Sequence, residues 1–143
     1  MSFISSVGIL LLFLAPMSFA SSSTSSPKGM KRTYEQNYRD MVLATCIANA
    51  YKGEKNTAMD AGSSVSALRD WAFYVFEKSP DAVKALVEKY LAKDYTNPLV
   101  ESETKGVKFD LLKCVDLYHS KELDALTTEV VIKPNHTYIQ DNK

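Results

Sequence analysis

The stretch of sequence that decides the fold is YEQNYRDMVLATCIANAY, residues 34–51. Its residues Tyr38, Val42 and Cys46 recur at every fourth position, which is the spacing of one face of an α-helix. Lysine and glycine follow at 52–53 and favour the end of that helix. The stretch therefore predicts a helix whose apolar stripe, with a cysteine in it, faces a hydrophobic core.

Four more helices are predicted along the chain after this one. Their apolar periodicity places them over residues 57–78, 79–94, 108–119 and 121–131. Ser79-Pro80 is a typical helix start, because serine caps a helix and proline is favoured at its first position. The predicted fold class is all-α, a compact bundle of about five helices.

The two cysteines of the chain, Cys46 and Cys114, are predicted to close this bundle with one disulfide. Cys114 lies on the predicted inner stripe of the fourth helix with Val107, Leu111 and Tyr118. Two cysteines in one small domain usually pair in an oxidising compartment, and such a bridge contributes at most about 4 kcal/mol. The alternative is two buried, unpaired thiols.

The first twenty residues have the pattern of a secretory signal peptide. An uncharged apolar core, ILLLFL at 9–14, is followed by Ser18-Phe19-Ala20, a small-x-small cleavage pattern. The apolar core is short for a bilayer span, and residue 21 is serine, so neither a membrane span nor a lipid anchor is predicted. We expect cleavage after Ala20 and export from the cytoplasm.

The remaining chain is expected to form one domain. Its predicted parts are a flexible Ser-rich linker over 21–31, a helical domain over 32–133 and a polar tail over 134–143. The 17 basic and 17 acidic residues balance. A neutral chain is atypical of proteins whose main partner is nucleic acid or an anionic membrane.

The sequence gives no positive case for catalysis. It contains no Gly-rich phosphate loop, no His-x-x-x-His pair and no Gly-x-Ser-x-Gly elbow. His119 follows Cys114 by five residues, a spacing that points the two side chains apart on a helix. We predict no catalytic residue, no metal site and no cofactor, and we interpret the domain as one that binds something.

Two regions stand out as candidate binding surfaces. Tyr95 to Gly106 is a long connection that Thr96-Asn97-Pro98 separates from the preceding helix, and long connections are often functional. It could equally be a loop that covers the bundle. The second helix is unusually aromatic, and a helical wheel points Tyr74 away from the core, so Trp71 and Tyr74 are candidates for a dimer interface. The alternative is a central helix packed on several sides.

One motif supports a family assignment. Residues 111–124, LLKCVDLYHSKELD, contain a Cys-x-Asp-x-Tyr-His-Ser-Lys run that helix periodicity does not require. This region resembles the type VI secretion amidase immunity proteins, specifically their fourth family. The likeness extends to Asp40–Cys46, to the aromatic second helix and to the Leu91–Tyr95 junction.

The resemblance implies a periplasmic, all-helical, non-enzymatic inhibitor. Its partner would be a cognate peptidoglycan amidase of papain-like fold, delivered by neighbouring cells. The resemblance also implies a homodimer that binds two amidase molecules.

With such a partner, the 95–106 connection is expected to occupy the active-site cleft. The expected contact residues are Tyr95, Asn97, Pro98, Leu99, Val100, Glu101 and Ser102. Lys84 and Glu88, on the outer side of the third helix, are expected second contacts.

Two other classes of protein fit the same composition. A periplasmic acid-stress chaperone is also small, helical and bridged by one disulfide, and it would bind unfolded proteins only at low pH. A secreted helical carrier of a small apolar ligand would contain a large apolar cavity.

Overall fold

The computed structural model describes residues 25–143, so the predicted signal peptide at 1–20 lies outside the described residues. Within 25–143 the chain forms a short 3-10 helix over Lys28–Lys31 and seven α-helices. The α-helices are α1 Tyr34–Ala50, α2 Lys55–Asp70, α3 Ser79–Leu91, α4 Pro98–Glu103, α5 Asp110–Tyr118, α6 Lys121–Val130 and α7 Tyr138–Asp141. The all-α prediction is confirmed: α1, α2, α3, α5 and α6 are the five predicted helices, and α4 and α7 are two additional short ones.

Helix α1 is the centre of the bundle and packs against α2, α3, α5 and α6. Its start is fixed by reciprocal hydrogen bonds, in which the Thr33 hydroxyl accepts from the Gln36 amide and the Gln36 side chain accepts from the Thr33 amide. The predicted stripe of Tyr38, Val42 and Cys46 is completely buried. Removal of these side chains from water drives the packing of the other helices around α1.

Helix α3 begins at Ser79, as predicted, but Ser79 does not cap it. Lys78 occupies the cap position, and the buried Ser79 hydroxyl instead lies 2.8 Å from the hydroxyl of Tyr38. This hydrogen bond satisfies two polar groups inside the core and links α3 to α1.

The predicted second helix ends eight residues too late, because α2 ends at Asp70. The aromatic segment 71–78 instead runs beside the end of α6, where the Val75 amide donates to the Val130 carbonyl and the Ile132 amide to the Phe73 carbonyl, both at 2.8 Å. Aromatic and β-branched residues lose side-chain freedom in a helix, so the helix propensity of this segment is weak. Its hydrogen bonds to residues outside the segment therefore determine its conformation.

The inner face of α5 also differs from the prediction. Lys113, Cys114 and Leu117 are buried, whereas Leu111 is 51% and Val115 39% exposed. The Lys113 side chain, including its ammonium, is therefore buried on the side of α5 where Leu111 was expected. Leu111 and Val115 face outward instead.

The C-terminal segment, predicted as a loose polar tail over 134–143, is folded against the start of α1. The Tyr34 amide donates to the His136 carbonyl at 2.8 Å, and the Thr137 hydroxyl caps α7. The Asp141 carboxylate lies within 3.3 Å of polar atoms on Tyr34, Lys133 and His136. These contacts tie the two ends of the described chain together.

The end of the predicted flexible linker 21–31 is folded too. Gly29, in the 3-10 helix, is buried against the ring of Trp71. The Asn37 side chain donates to the carbonyls of Gly29 and Trp71, both at 2.8 Å. The domain therefore begins before residue 32.

Candidate functional site

The candidate binding connection contains the short helix α4, where a loop was predicted. The Asn97 side chain caps it by accepting from the Val100 amide at 3.3 Å, and Pro98 occupies its first position. The Glu101 carboxylate accepts from the Asn97 amide at 2.7 Å, and the Ser102 hydroxyl donates to the Leu99 carbonyl at 2.6 Å. Its own side chains thus order α4 without help from the core.

Helix α4 presents apolar side chains to solvent. Leu99 is 76% and Val100 39% exposed, and every residue of Pro98–Glu103 is at least partly accessible. Leu99 is the most exposed of the large hydrophobic side chains in the described part of the chain. Leu99 and Val100 therefore present apolar area that a partner can bury.

The connection before α4 is attached to α5 through Tyr95. The Tyr95 hydroxyl donates to a carboxylate oxygen of Asp116 at 2.5 Å. This hydrogen bond stabilises the protonated phenol and, with partial desolvation, raises the pKa of Tyr95 to about 12. The predicted contact residue Tyr95 therefore already has a hydrogen-bond partner inside the protein.

Lys113 lies beneath this attachment and is 5% exposed. Its ammonium donates to the Asp110 carboxylate at 2.9 Å and to the Leu91 carbonyl at 3.2 Å, and it lies 6.0 Å from the centre of the Tyr95 ring. A buried lysine is stable only when its charge is paired. Here that charge joins the end of α3 to the start of α5.

The expected second contacts, Lys84 and Glu88, lie at a different place on the surface. They line an apolar groove of about 340 Å³ that is formed by α1, α2, α3 and the 71–78 segment. Residues 95–97, at the start of the α4 connection, line a separate hollow with Phe109 and with Leu112 of α5. The structure thus places Lys84 and Glu88 with the groove and does not join them to α4 in one pocket.

Trp71 and Tyr74, the candidates for a dimer interface, both contribute to internal packing. Trp71 is covered by Gly29, and the ring of Tyr74 packs edge-on against Tyr38 with 5.1 Å between centroids. The helical-wheel argument for Tyr74 was wrong, because residue 74 is not in a helix. The exposed aromatic side chains of this segment are Phe73 and Phe76.

The predicted disulfide is confirmed. Cys46 of α1 and Cys114 of α5 are bonded, with 5.6 Å between their Cα atoms and both residues fully buried. The bridge lies where α5 crosses α1, so it holds in place the helix that carries Asp116 and Lys113.

Three polar residues of the 111–124 motif, Asp116, Tyr118 and Ser120, make hydrogen bonds that connect elements. Asp116 accepts from Tyr95, and the Tyr118 hydroxyl donates to Asp40 on α1 at 3.2 Å. The Ser120 hydroxyl caps α6 by accepting from the Leu123 amide at 3.1 Å. The motif therefore connects α5 to the α4 connection, to α1 and to α6.

Sequence reasoning missed the outer face of α5, where Leu111, Leu112 and Val115 are exposed. Leu112 and Phe109 line one hollow beside the start of the α4 connection and another beside Tyr51. The residue that could have corrected this prediction is Leu117. A buried stripe centred on Cys114 and Leu117 places Leu111 and Val115 at the edges of the buried face of α5.

The candidate site around α4 and α5 consists of exposed apolar side chains and hydrogen-bonding groups. Within residues 25–143, no cluster of His, Cys, Asp and Glu side chains is arranged to hold a metal ion. The described part of the chain also contains no helix long and apolar enough to cross a membrane.

Two solved structures are similar to this chain. One comes from work on new type VI-secreted toxins and self-resistance proteins in Serratia marcescens; it is 25% identical, has a TM-score of 0.72, and the match covers 85% of this chain and 95% of that one. The other is the effector–immunity system Tae4/Tai4 from Salmonella typhimurium, in its selenomethionine variant. It is 20% identical and has a TM-score of 0.59, and the match covers 73% of this chain and 95% of that one. The second likeness concerns the fold alone.

The family comparison covers most of the bundle. No curated protein sequence matches the chain. The family model for Tai4, the type VI secretion system (T6SS) amidase immunity protein, matches residues 36–127, a range that includes α4 and the 111–124 motif. The chain belongs to the Tai4 family of T6SS amidase immunity proteins.

Proposed function

We propose that this protein is a periplasmic inhibitor that binds a cognate peptidoglycan amidase of papain-like fold and blocks its active-site cleft with α4. Inhibition occurs by occlusion, and the inhibitor is not an enzyme. The observation that carries this proposal is the ordered, solvent-exposed α4 with Leu99 at its surface. Membership of the amidase immunity family supports the choice of partner.

Helix α4 is suited to a narrow cleft because its conformation exists before binding. The hydrogen bonds made by Asn97, Glu101 and Ser102 hold its backbone, so the complex loses less conformational entropy when it forms. Leu99 and Val100 then supply apolar area. Full burial of such a side chain is worth about 1.5–3 kcal/mol before ordering costs, and Val100 would gain less because it starts partly buried.

The periplasmic location rests on two features. Residues 1–20 have the pattern of a signal peptide, and the buried Cys46–Cys114 disulfide is typical of proteins that mature in an oxidising compartment. Cell fractionation measures the location directly, and recovery of the full-length chain in the cytoplasm would contradict it.

We also propose that the inhibitor acts as a homodimer that engages two amidase molecules. The exposed Phe73 and Phe76 side chains are the better interface candidates, because Trp71 and Tyr74 are occupied inside the fold. Light scattering measures the mass of the purified inhibitor alone and with the amidase. A complex of one inhibitor molecule and one amidase molecule would overturn this stoichiometry.

The experiment that tests the cleft-blocking role is the double variant Leu99→Ala with Val100→Ala. We expect faster dissociation of the amidase and weaker inhibition, by about tenfold or more, because truncated anchors act mainly on the dissociation rate. Amidase activity against peptidoglycan and the dissociation rate of the complex are the measurements, after circular dichroism has established unchanged folding.

The matched control is Met59→Ala with Ile132→Ala. Met59 is 61% and Ile132 37% exposed, close to the values for Leu99 and Val100, and neither lies in the α4 connection. We expect the control to inhibit like the parent protein. If the Leu99 and Val100 variant also inhibits like the parent, α4 does not block the cleft.

A further inference from the structure

The position of α4 depends on the segments that join it to the bundle. Every residue of Pro98–Glu103 is at least partly exposed, so burial within α4 cannot fix its direction. The side chain that attaches the preceding segment to the bundle is Tyr95, whose hydroxyl donates to Asp116 at 2.5 Å. The contact that holds Tyr95 is therefore one constraint on where α4 projects.

The Asp116 carboxylate is accessible to Tyr95. It lies on the exposed side of α5, two residues after the disulfide cysteine Cys114, in a helix that is held by the core. A carboxylate that accepts from a phenol forms a short, charge-assisted hydrogen bond, which is stronger than one between neutral groups.

A buried ion pair lies at the base of this attachment. The buried Lys113 ammonium bonds to Asp110 and to the last residue of α3, Leu91, and lies near the Tyr95 ring. The ends of α3 and α5 are therefore fixed relative to each other, and the Tyr95–Asp116 hydrogen bond extends this fixed frame to the start of the α4 connection.

We propose that the hydrogen bond between the Tyr95 hydroxyl and the Asp116 carboxylate sets the direction of α4, so that both are positioning residues rather than contacts to the partner. The effect on amidase binding rests on the function proposed above. Without the hydrogen bond, α4 samples several directions and only a fraction of molecules is ready to bind. The apparent affinity falls by that fraction.

Three variants test the proposal. Tyr95→Phe removes only the hydroxyl, Asp116→Leu removes the acceptor at similar volume, and Asp116→Asn keeps an oxygen that can accept from Tyr95. Tyr138→Phe, the same chemical change in α7, is the control. The first readout is the NMR residual dipolar couplings of the Glu101 and Thr104 amides. Both amides bond within α4, to the Asn97 and Val100 carbonyls, so their couplings report the direction of the whole helix relative to the bundle.

We expect these two couplings to fall to about half of their parent values in Tyr95→Phe and Asp116→Leu, because α4 then averages over several directions. Asp116→Asn should show a smaller fall, since its neutral oxygen accepts more weakly, and Tyr138→Phe should behave like the parent. With the cognate amidase, the first two variants should associate about tenfold more slowly at a nearly unchanged dissociation rate. Loss of a direct contact would instead accelerate dissociation.

The possible failures are distinguishable. Unchanged couplings in both Tyr95→Phe and Asp116→Leu overturn the positioning role, whatever the amidase does. Changes spread evenly over the whole chain with a lowered Tm also overturn it, because they indicate general destabilisation. A change confined to α4 with unchanged amidase binding supports the positioning role and rejects α4 as the element that binds the amidase.

Discussion

At the scale of single residues, Gly29 is the clearest point of constraint. A Cβ atom at position 29 would lie 2.1 Å from Cε3 of Trp71, closer than two carbon atoms can pack. Gly29→Ala must therefore displace the indole or the 3-10 helix, and we expect it to lower the free energy of unfolding by about 1–3 kcal/mol. Urea denaturation followed by fluorescence measures this loss, and Trp71 is the only tryptophan in the chain.

The same substitution at Gly53 provides the control. A Cβ atom there has no neighbour within 4 Å, so we expect Gly53→Ala to change the free energy of unfolding by no more than about 0.5 kcal/mol. Equal losses at the two positions would show that close contact with Trp71 is not what requires glycine at position 29.

Single residues also show why the site could be predicted only in part. Pro98 and Gly106 mark the limits of the binding connection in the sequence itself, because both act through the local backbone. The contact between Tyr95 and Asp116 joins residues 21 positions apart and depends on how α5 lies against α3. Nothing in the local pattern around either residue indicates such a contact.

At the scale of elements, the C-terminal segment should respond to acid. The hydrogen bond from His136, followed by that from Lys133, holds the pKa of Asp141 below its ordinary value. A lowered carboxyl pKa means that the charged form is the one stabilised by folding. This stabilisation is complete above about pH 4 and is lost as the pH falls through the pKa of the folded state.

We therefore expect the Tyr34 amide, which donates to the His136 carbonyl, to exchange faster relative to its intrinsic rate below about pH 4. Asp141→Asn should accelerate this exchange at neutral pH and reduce its dependence on acid. The control is Asp60→Asn on α2, and hydrogen exchange followed by NMR is the measurement. Equal pH dependence in the parent and in Asp141→Asn would contradict the assignment.

The elements also show which features sequence periodicity can predict. Helix α1 was predicted correctly because Tyr38, Val42 and Cys46 are all buried on one face. The end of α2 was predicted wrongly because the 71–78 segment is held by the carbonyl of Val130, more than fifty positions away. Periodicity reports which face of a helix is buried, but it does not report which distant backbone groups compete for a segment.

At the scale of the whole molecule, the disulfide is the main covalent constraint. It joins positions separated by 68 residues, and the chain-entropy account assigns about 4 kcal/mol to a loop of this size. We expect the double variant Cys46→Ala with Cys114→Ala to lose about 3–4 kcal/mol of unfolding free energy, and urea denaturation without reductant is the measurement.

The parent protein in reductant is the control, since it loses the same bond and keeps the sulfur atoms in the core. Its unfolding free energy should fall nearly as far as that of the double variant. A loss below about 1 kcal/mol in both samples would mean that residual structure already restricts the unfolded chain nearly as much as the bond does.

The exposure of α4 has a consequence for the history of this protein. Most substitutions destabilise a protein through its packed interior, and Pro98–Glu103 contributes little to that interior. Substitutions at its outward side chains Leu99, Val100 and Glu103 therefore leave the folded bundle intact. Under the proposed cleft-blocking function, recognition of an altered amidase can evolve at these three positions, while Pro98, Glu101 and Ser102 keep the helix ordered.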